Sequence, residues 1–235
     1  MNAAVERYPE RWLDYVEARD VYAALPHLHS YAREWLELAE IFASFDVLGD
    51  VNVALVPAHV ARGAKYSVPI TINAKEIPKS VSCFCCVPQY TGDILGEGYD
   101  VGLMREAVTS SLASLIDGGN FVCKVPPGNY SEELFTLIAL CQKSFHHVSL
   151  CSPSVGSPDV DCRYLFCEGR GEPIDDGEMS VDAMMRYAIQ ERGAQEVEMT
   201  REFLGGVDYP ESKAMVDAAV LDWNKHAYLL RRAIK

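Results

Sequence analysis

No stretch of the 235 residues holds the run of about 18 or more apolar residues that a membrane-crossing helix needs, so no spanning segment and no membrane partner are expected. The N-terminus, MNAAVERYPERWLDY, puts charge where a secretory leader would need its apolar core. Basic residues are scarce. Lys and Arg number 21 against 34 Asp and Glu, a formal net charge of −13, and the one small basic cluster is Arg231, Arg232 and Lys235. A nucleic-acid binder draws much of its affinity from displacing counterions with a basic face. The charge therefore disfavours RNA and favours protein partners or plain solubility. Paired CxxC motifs are missing, which argues against a zinc site, and no internal repeat or low-complexity segment occurs.

Eight cysteines are present. Cys83, Cys85 and Cys86 lie in VSCFCCV, Cys123 in NFVCKV, Cys151 ends VSLC, and Cys162 and Cys167 bracket CRYLFC. These are apolar, strand-like runs in which cysteine behaves as a small buried hydrophobe, so free thiols in a reducing, cytoplasmic setting are expected. Hydrophobic residues at 49% and charged residues at 23% are an ordinary globular balance, enough for one large core.

Residues 3–45 have helical spacing, carried by Trp12, Tyr15, Val16, Trp35, Leu38, Ile41 and Phe42, with Pro26 dividing them into two helices. VNVALV (51–56), VPITI (68–72) and VSCFCCV (81–87) are strand candidates. LMREAVTSSLASLI (103–116) has helical periodicity and is expected to stop at Asp117-Gly118-Gly119, where glycine relieves the left-handed strain of a helix end. NFVCKV (120–125) follows as a strand, SEELFTLIALCQKSF as a helix capped by Ser131, and HVSLC and RYLFCE as two closing strands with no helix between them. The alternation predicts an α/β fold: a mostly parallel sheet with an antiparallel edge strand, helices on both faces, and helical additions at both ends. The expected division is an α/β domain over 1–172 and a C-terminal helical appendage over 173–235 packing on the same core.

LIDGGNFVCKV followed by SFHHVSLCSPSVGSPDVDCRYLFCEG resembles the FtsJ-type RNA 2′-O-ribose methyltransferases. In that family a Gly-Gly pair leads into a strand that delivers a catalytic lysine, and a polar loop between two later strands starts at proline and ends at tyrosine. Gly118 to Lys124 match the lysine strand, and Pro153 and Tyr164 fall at the two ends of the loop. EWLELAEIFASFDVLGDVNVALVPAHVARG is similar to the entry helix and first strand, and the resemblance covers residues 30–168.

The resemblance implies a Rossmann-like methyltransferase fold, S-adenosylmethionine as cofactor, and a Lys-Asp-Lys-Glu tetrad that takes the proton of a ribose hydroxyl. Lys124 is the one clear counterpart. At the first lysine's place stand Glu34 or Trp35, with Arg33 the nearest basic residue; at the aspartate's, Val87-Pro88-Gln89; at the glutamate's, Cys162. The cofactor turn, normally rich in glycine so that backbone can approach the ligand, is Val56-Pro57-Ala58-His59-Val60-Ala61-Arg62-Gly63, and Glu76 is the acid placed to meet a ribose. Val56, Pro57, His59, Gly63 and Glu76 thus mark a degenerate cofactor cleft. The expectation is an inactive methyltransferase domain with no bound cofactor, serving as a structural or partner-binding module in an RNA-processing or viral replication and capping assembly, in the host cytoplasm if viral. The alternatives are an active cap 2′-O-methyltransferase that uses Lys124 in a divergent site, and an unrelated α/β binding domain.

Bland readings stand beside these. Lys124 is a relict base, a phosphate contact, or a strand-end lysine with its head in water. His146-His147 cannot readily share a metal ion, because neighbours on a strand point to opposite faces. Cys162, with no histidine forced near it, is expected to be an inert thiol. Arg33 and Arg62 are ordinary surface charges, and Met184-Met185 and Trp223 to Tyr228 are core or subunit contacts.

Overall fold

The computed structural model describes residues 9–29, 32–45, 47, 53–56, 70–71, 81–87, 101–126, 131–158, 162–173, 180–205 and 210–233. Helices α1 (Pro9–Arg19) and α2 (Arg33–Ser44) flank a 3-10 turn at Pro26–Leu28. Strands β1 (Val53–Val56), β2 (Ile70–Thr71) and β3 (Val81–Cys86) precede α3 (Gly102–Ser114) and β4 (Leu115–Lys124). Then come α4 (Glu132–Gln142), β5 (Phe145–Cys151), β6 (Tyr164–Arg170), α5 (Val181–Gly205) and α6 (Pro210–Ala233). No helix among the described residues is long and apolar enough to cross a membrane.

The six strands form one sheet in the order β2-β1-β3-β4-β6-β5. β1, β2, β3 and β4 pair parallel, whereas β6 runs antiparallel to both β4 and β5. The closing hairpin is present as expected, with a refinement: its second strand is inserted beside β4, and β5 takes the edge. A six-stranded, mixed but mainly parallel sheet with helices on both faces is the architecture the alternation predicted.

Side-chain alternation divides the core in two. Cys83, Cys85, Val122, Tyr164 and Phe166 point to the face covered by α2, where Trp35, Leu38, Ile41 and Phe42 meet them and Trp223 of α6 joins. Phe84, Cys86, Phe121, Cys123, Leu165 and Cys167 point to the other face, covered by α3, α4 and the start of α5 through Met184 and Met185. Farther along α5, Met199 and Phe203 pack on Trp12 and Tyr15 of α1. Arg19 and the Tyr15 hydroxyl both bind Glu202 there. Helix α5 therefore runs from one face of the sheet to helix α1.

The glycine pair does not end α3. That helix stops at Ser114, and Leu115 already pairs with Val81. Between that pair and Cys83↔Asn120 the register shifts, so β4 carries extra residues in a bulge. Gly118 supplies its positive φ of 75°. At Gly119 a Cβ would lie 3.0 Å from the Ile116 carbonyl oxygen and 3.1 Å from that of Ser82, so close backbone approach is the reason for glycine there.

Candidate functional site

Lys124 is the last residue of β4, at the carboxyl end of the parallel strands, where open α/β sheets place their ligands. It faces α2. Its Nζ lies 3.0 Å from Glu37 Oε2, and the lysine and glutamate side chains are 17% and 2% exposed. Tyr164, directly opposite Lys124 in the β4–β6 pairing, donates its hydroxyl to the same Glu37 oxygen at 2.5 Å. The ammonium also sits 5.5 Å from the centre of the Tyr164 ring, within reach of its negative face. Lys124 is thus neither a solvated strand end nor a free amine; it is one corner of a Lys124–Glu37–Tyr164 cluster.

The electrostatics follow from burial and charge. Burial acts to lower the pKa of Lys124, but its coupling to Cys162, whose thiol ionises only in the same alkaline range, and to Glu37 outweighs it and holds the amine above its ordinary value. Burial, then the Glu37 carboxylate, pushes the Tyr164 hydroxyl well up. Cys162 is buried and its thiol is pushed up to about 12, first by burial and then by Glu37. A thiol held neutral in this way is a poor nucleophile.

Glu37 is the functional residue that the family spacing missed, since that spacing pointed to Glu34 or Trp35. Trp35 instead packs in the core. Arg33 pairs with Asp20 and stacks over Tyr22, with 4.6 Å from its guanidinium carbon to the ring centre. The signal was helical periodicity: Glu37 precedes Ile41 by four residues, which places a carboxylate on the buried stripe of α2.

Three residues after Glu37, Glu40 makes a second polar junction. It accepts from Ser154 N–H at 2.7 Å, from the Ser154 hydroxyl at 3.0 Å and from the Trp223 indole at 2.9 Å. One carboxylate thereby joins α2, the loop after β5 and helix α6.

Of Val87-Pro88-Gln89, at the place of the resemblance's aspartate, Val87 at the carboxyl end of β3 is buried and apolar. Val56 is the last residue of β1, beside β3 in the sheet. Pro57, His59, Arg62, Gly63 and Glu76, together with Pro88 and Gln89, lie outside the described residues. All eight cysteines are free thiols, and the Sγ atoms of Cys83 and Cys85 are 3.6 Å apart. His147 pairs across to Glu168, while the ring of His146 lies against Gly169 and Gly171.

No protein-family model and no curated protein matches the sequence. Among solved structures, the chain is similar to an alphavirus protein, P23pro-zbd, at 15% identity over 64% of this chain and 25% of that one, with a TM-score of 0.42. The chain thus spans a quarter of that protein's length. It is also similar to a protein described as a ribosomal RNA methyltransferase of Plasmodium falciparum, at 14% identity over 60% of this chain and 98% of that one (TM-score 0.41). A third is the N-methyltransferase NodS of Bradyrhizobium japonicum, at 12% identity over 57% and 94% (TM-score 0.36). These likenesses are too loose to assign a residue or a reaction to this chain. The strand order and the closing antiparallel hairpin define its class, a Rossmann-like α/β domain with a mainly parallel sheet.

Proposed function

We propose that this chain is a methyltransferase-type domain whose catalytic corner has become a structural clasp, and that it serves as a structural or partner-binding module. The observation that carries this reading is the Glu37–Lys124 ion pair. A base must offer a lone pair, and an ammonium has none. Here a buried carboxylate keeps the amine protonated and tethered to α2. Among the described residues the neighbouring positions supply no replacement, because Cys162 holds a neutral thiol and the end of β3 presents Val87. These groups do not make the base that would activate a ribose hydroxyl. The sequence from Val56 to Gly63, with bulky residues where the resemblance has close-approach glycines, supports the same reading.

The net charge of −13 favours protein partners over RNA. An RNA-processing or viral replication and capping assembly, in the cytoplasm, is the setting that the FtsJ resemblance supplies for this proposal. Calorimetric titration with S-adenosylmethionine, combined with a methyl-transfer assay on capped RNA, tests it. The expected outcome is neither measurable binding nor transfer. Micromolar binding together with Lys124-dependent transfer would establish the alternative, an active RNA 2′-O-methyltransferase.

A further inference from the structure

Helix α5 is anchored at both ends and uncovered between them. Met184, Met185 and Ala188 are buried on the sheet side, where Arg163 binds Glu191 at 3.0 Å and the Ala188 carbonyl at 3.1 Å. Met199 and Phe203 are buried against α1, where Glu202 pairs with Arg19. None of the residues from 189 to 198 is buried. The interruption is written in the sequence. At three- and four-residue spacing one face carries Met184, Ala188, Arg192, Gln195, Met199 and Phe203, apolar at both ends and polar in the two central places.

Arg192 and Gln195 line a cleft of about 370 Å³ whose other walls include the loop from Ser152 to Pro158 and Met215 of α6. A helix segment set over a cleft gains little from packing and draws on its own hydrogen bonds and on pairs such as Arg192 with Glu196, four residues apart at 3.0 Å. At the centre of this bridge stands Gly193. It is exposed, and a Cβ added there would meet nothing within 4 Å. Packing therefore gives no reason for a residue that weakens helices relative to alanine.

We infer that α5 is a hinge that bends at Gly193 and swings its distal half, with α1 attached, so that the cleft beside the loop from Ser152 to Pro158 opens and closes. The hydrophobic clusters that clamp the two halves are separate, so each half keeps its own packing while the bridge flexes. Segments with few buried contacts and exposed backbone bonds open at a lower free energy than the core around them. At helix rise, a bend of about 20° at Gly193 moves Leu204 by about 6 Å. The clasp at Lys124 belongs to β4 and α2, so the hinge stands or falls apart from the fate of that corner.

Two measurements on the intact chain test the hinge. The first is hydrogen exchange at the amides of residues 194–197, whose helical bonds span Gly193. Corrected for intrinsic rates, they are expected to exchange about tenfold faster than the amides of Ala188 and Phe203, at rates that low urea leaves unchanged. Gly193→Ala is expected to slow them about fivefold. The second is the distance between spin labels carried on keto-bearing side chains at Leu140 of α4 and Leu204 of α5, both exposed, which leaves the eight cysteines untouched. The parent is expected to give a broad distribution spanning about 6 Å that narrows in Gly193→Ala, whereas Leu140 paired with Tyr187 stays narrow in both. Bridge amides as protected and as urea-sensitive as those of Ala188 and Phe203, a Leu140–Leu204 distribution as narrow as the Leu140–Tyr187 control, or no effect of Gly193→Ala on either measurement would overturn the hinge.

Discussion

Lys124 and Glu37 are 87 residues apart in the sequence and 3.0 Å apart in the fold, and the carboxylate that joins them is almost wholly buried. Removing one member of such a pair strands the other without solvent. Lys124→Ala is expected to destabilise the domain by about 3 kcal/mol, because Glu37 would lose its cation and keep neutral partners, the Tyr164 hydroxyl and the Cys162 thiol. Replacing all three polar groups at once, as Glu37→Leu with Lys124→Met and Tyr164→Phe, should stay within about 1 kcal/mol of the parent, since an apolar set of similar volume carries no desolvation cost. Urea unfolding of the two variants checks the contrast. A catalytic lysine predicts the reverse for Lys124→Ala: lost methylation with an almost unchanged melting temperature.

The same cluster sets the alkaline limit of stability. The buried thiol of Cys162 and, outside the cluster, the half-buried thiol of Cys151 are pushed from 9.0 up to about 12, and Lys124 and Tyr164 are also raised. In every case the folded chain keeps its proton to higher pH than the unfolded chain does. Above about pH 9 the unfolded state binds fewer protons, so the free energy of unfolding falls as pH rises. Stability from this source is complete below pH 9 and is lost progressively towards pH 12. Urea midpoints measured from pH 7 to 11 should be level at first and then decline; a level or rising profile above pH 9 would contradict the buried cluster.

Much of the fold was legible because its elements are locally consistent. The apolar runs at 81–87 and 120–125 became strands, and Ser131 caps α4 by accepting from Leu134 N–H, as its position before Glu132-Glu133 suggested. Lateral order was less accessible. Nothing in RYLFCE says that it slots between β4 and β5, because neighbours in a sheet are chosen by core packing and not by sequence order. Glu37 escaped for a related reason. Matching the family's lysine by count along α2 gives one residue, whereas the helix turn and the sheet beneath it decide which side chain reaches Lys124.

The glycine pair was legible as a turn but was assigned to the wrong element, and the correction gives its own prediction. Gly118 has open space around a hypothetical Cβ but a φ of 75°, so Gly118→Ala should cost about 1 kcal/mol of left-handed strain, and Gly118→Asn less. Gly119→Ala meets two backbone carbonyl oxygens at 3.0 and 3.1 Å and should cost more, because β3 and β4 would have to separate. Thermal unfolding ranks the variants. If Gly118→Ala proved the worse of the two, the bulge would not be held by close approach of the strands.

Among its described residues helix α6 buries Trp223 and packs Val216, Ala219 and Val220 against the core, and its polar anchor can be isolated. Trp223→Phe keeps most of the ring in the core and removes only the indole donor to Glu40, a loss of about 1 kcal/mol. Glu40→Ala should cost more, about 2 kcal/mol, because the Ser154 amide and hydroxyl lose the same carboxylate. Since both changes cut one shared bond, their effects should add to less than their sum in a double-mutant cycle. Hydrogen exchange gives the local signature. Glu40→Ala should speed exchange at the Ser154 amide, whereas Trp223→Phe should leave that amide protected. Equal acceleration in both variants would mean that α6, rather than Glu40, holds the loop after β5.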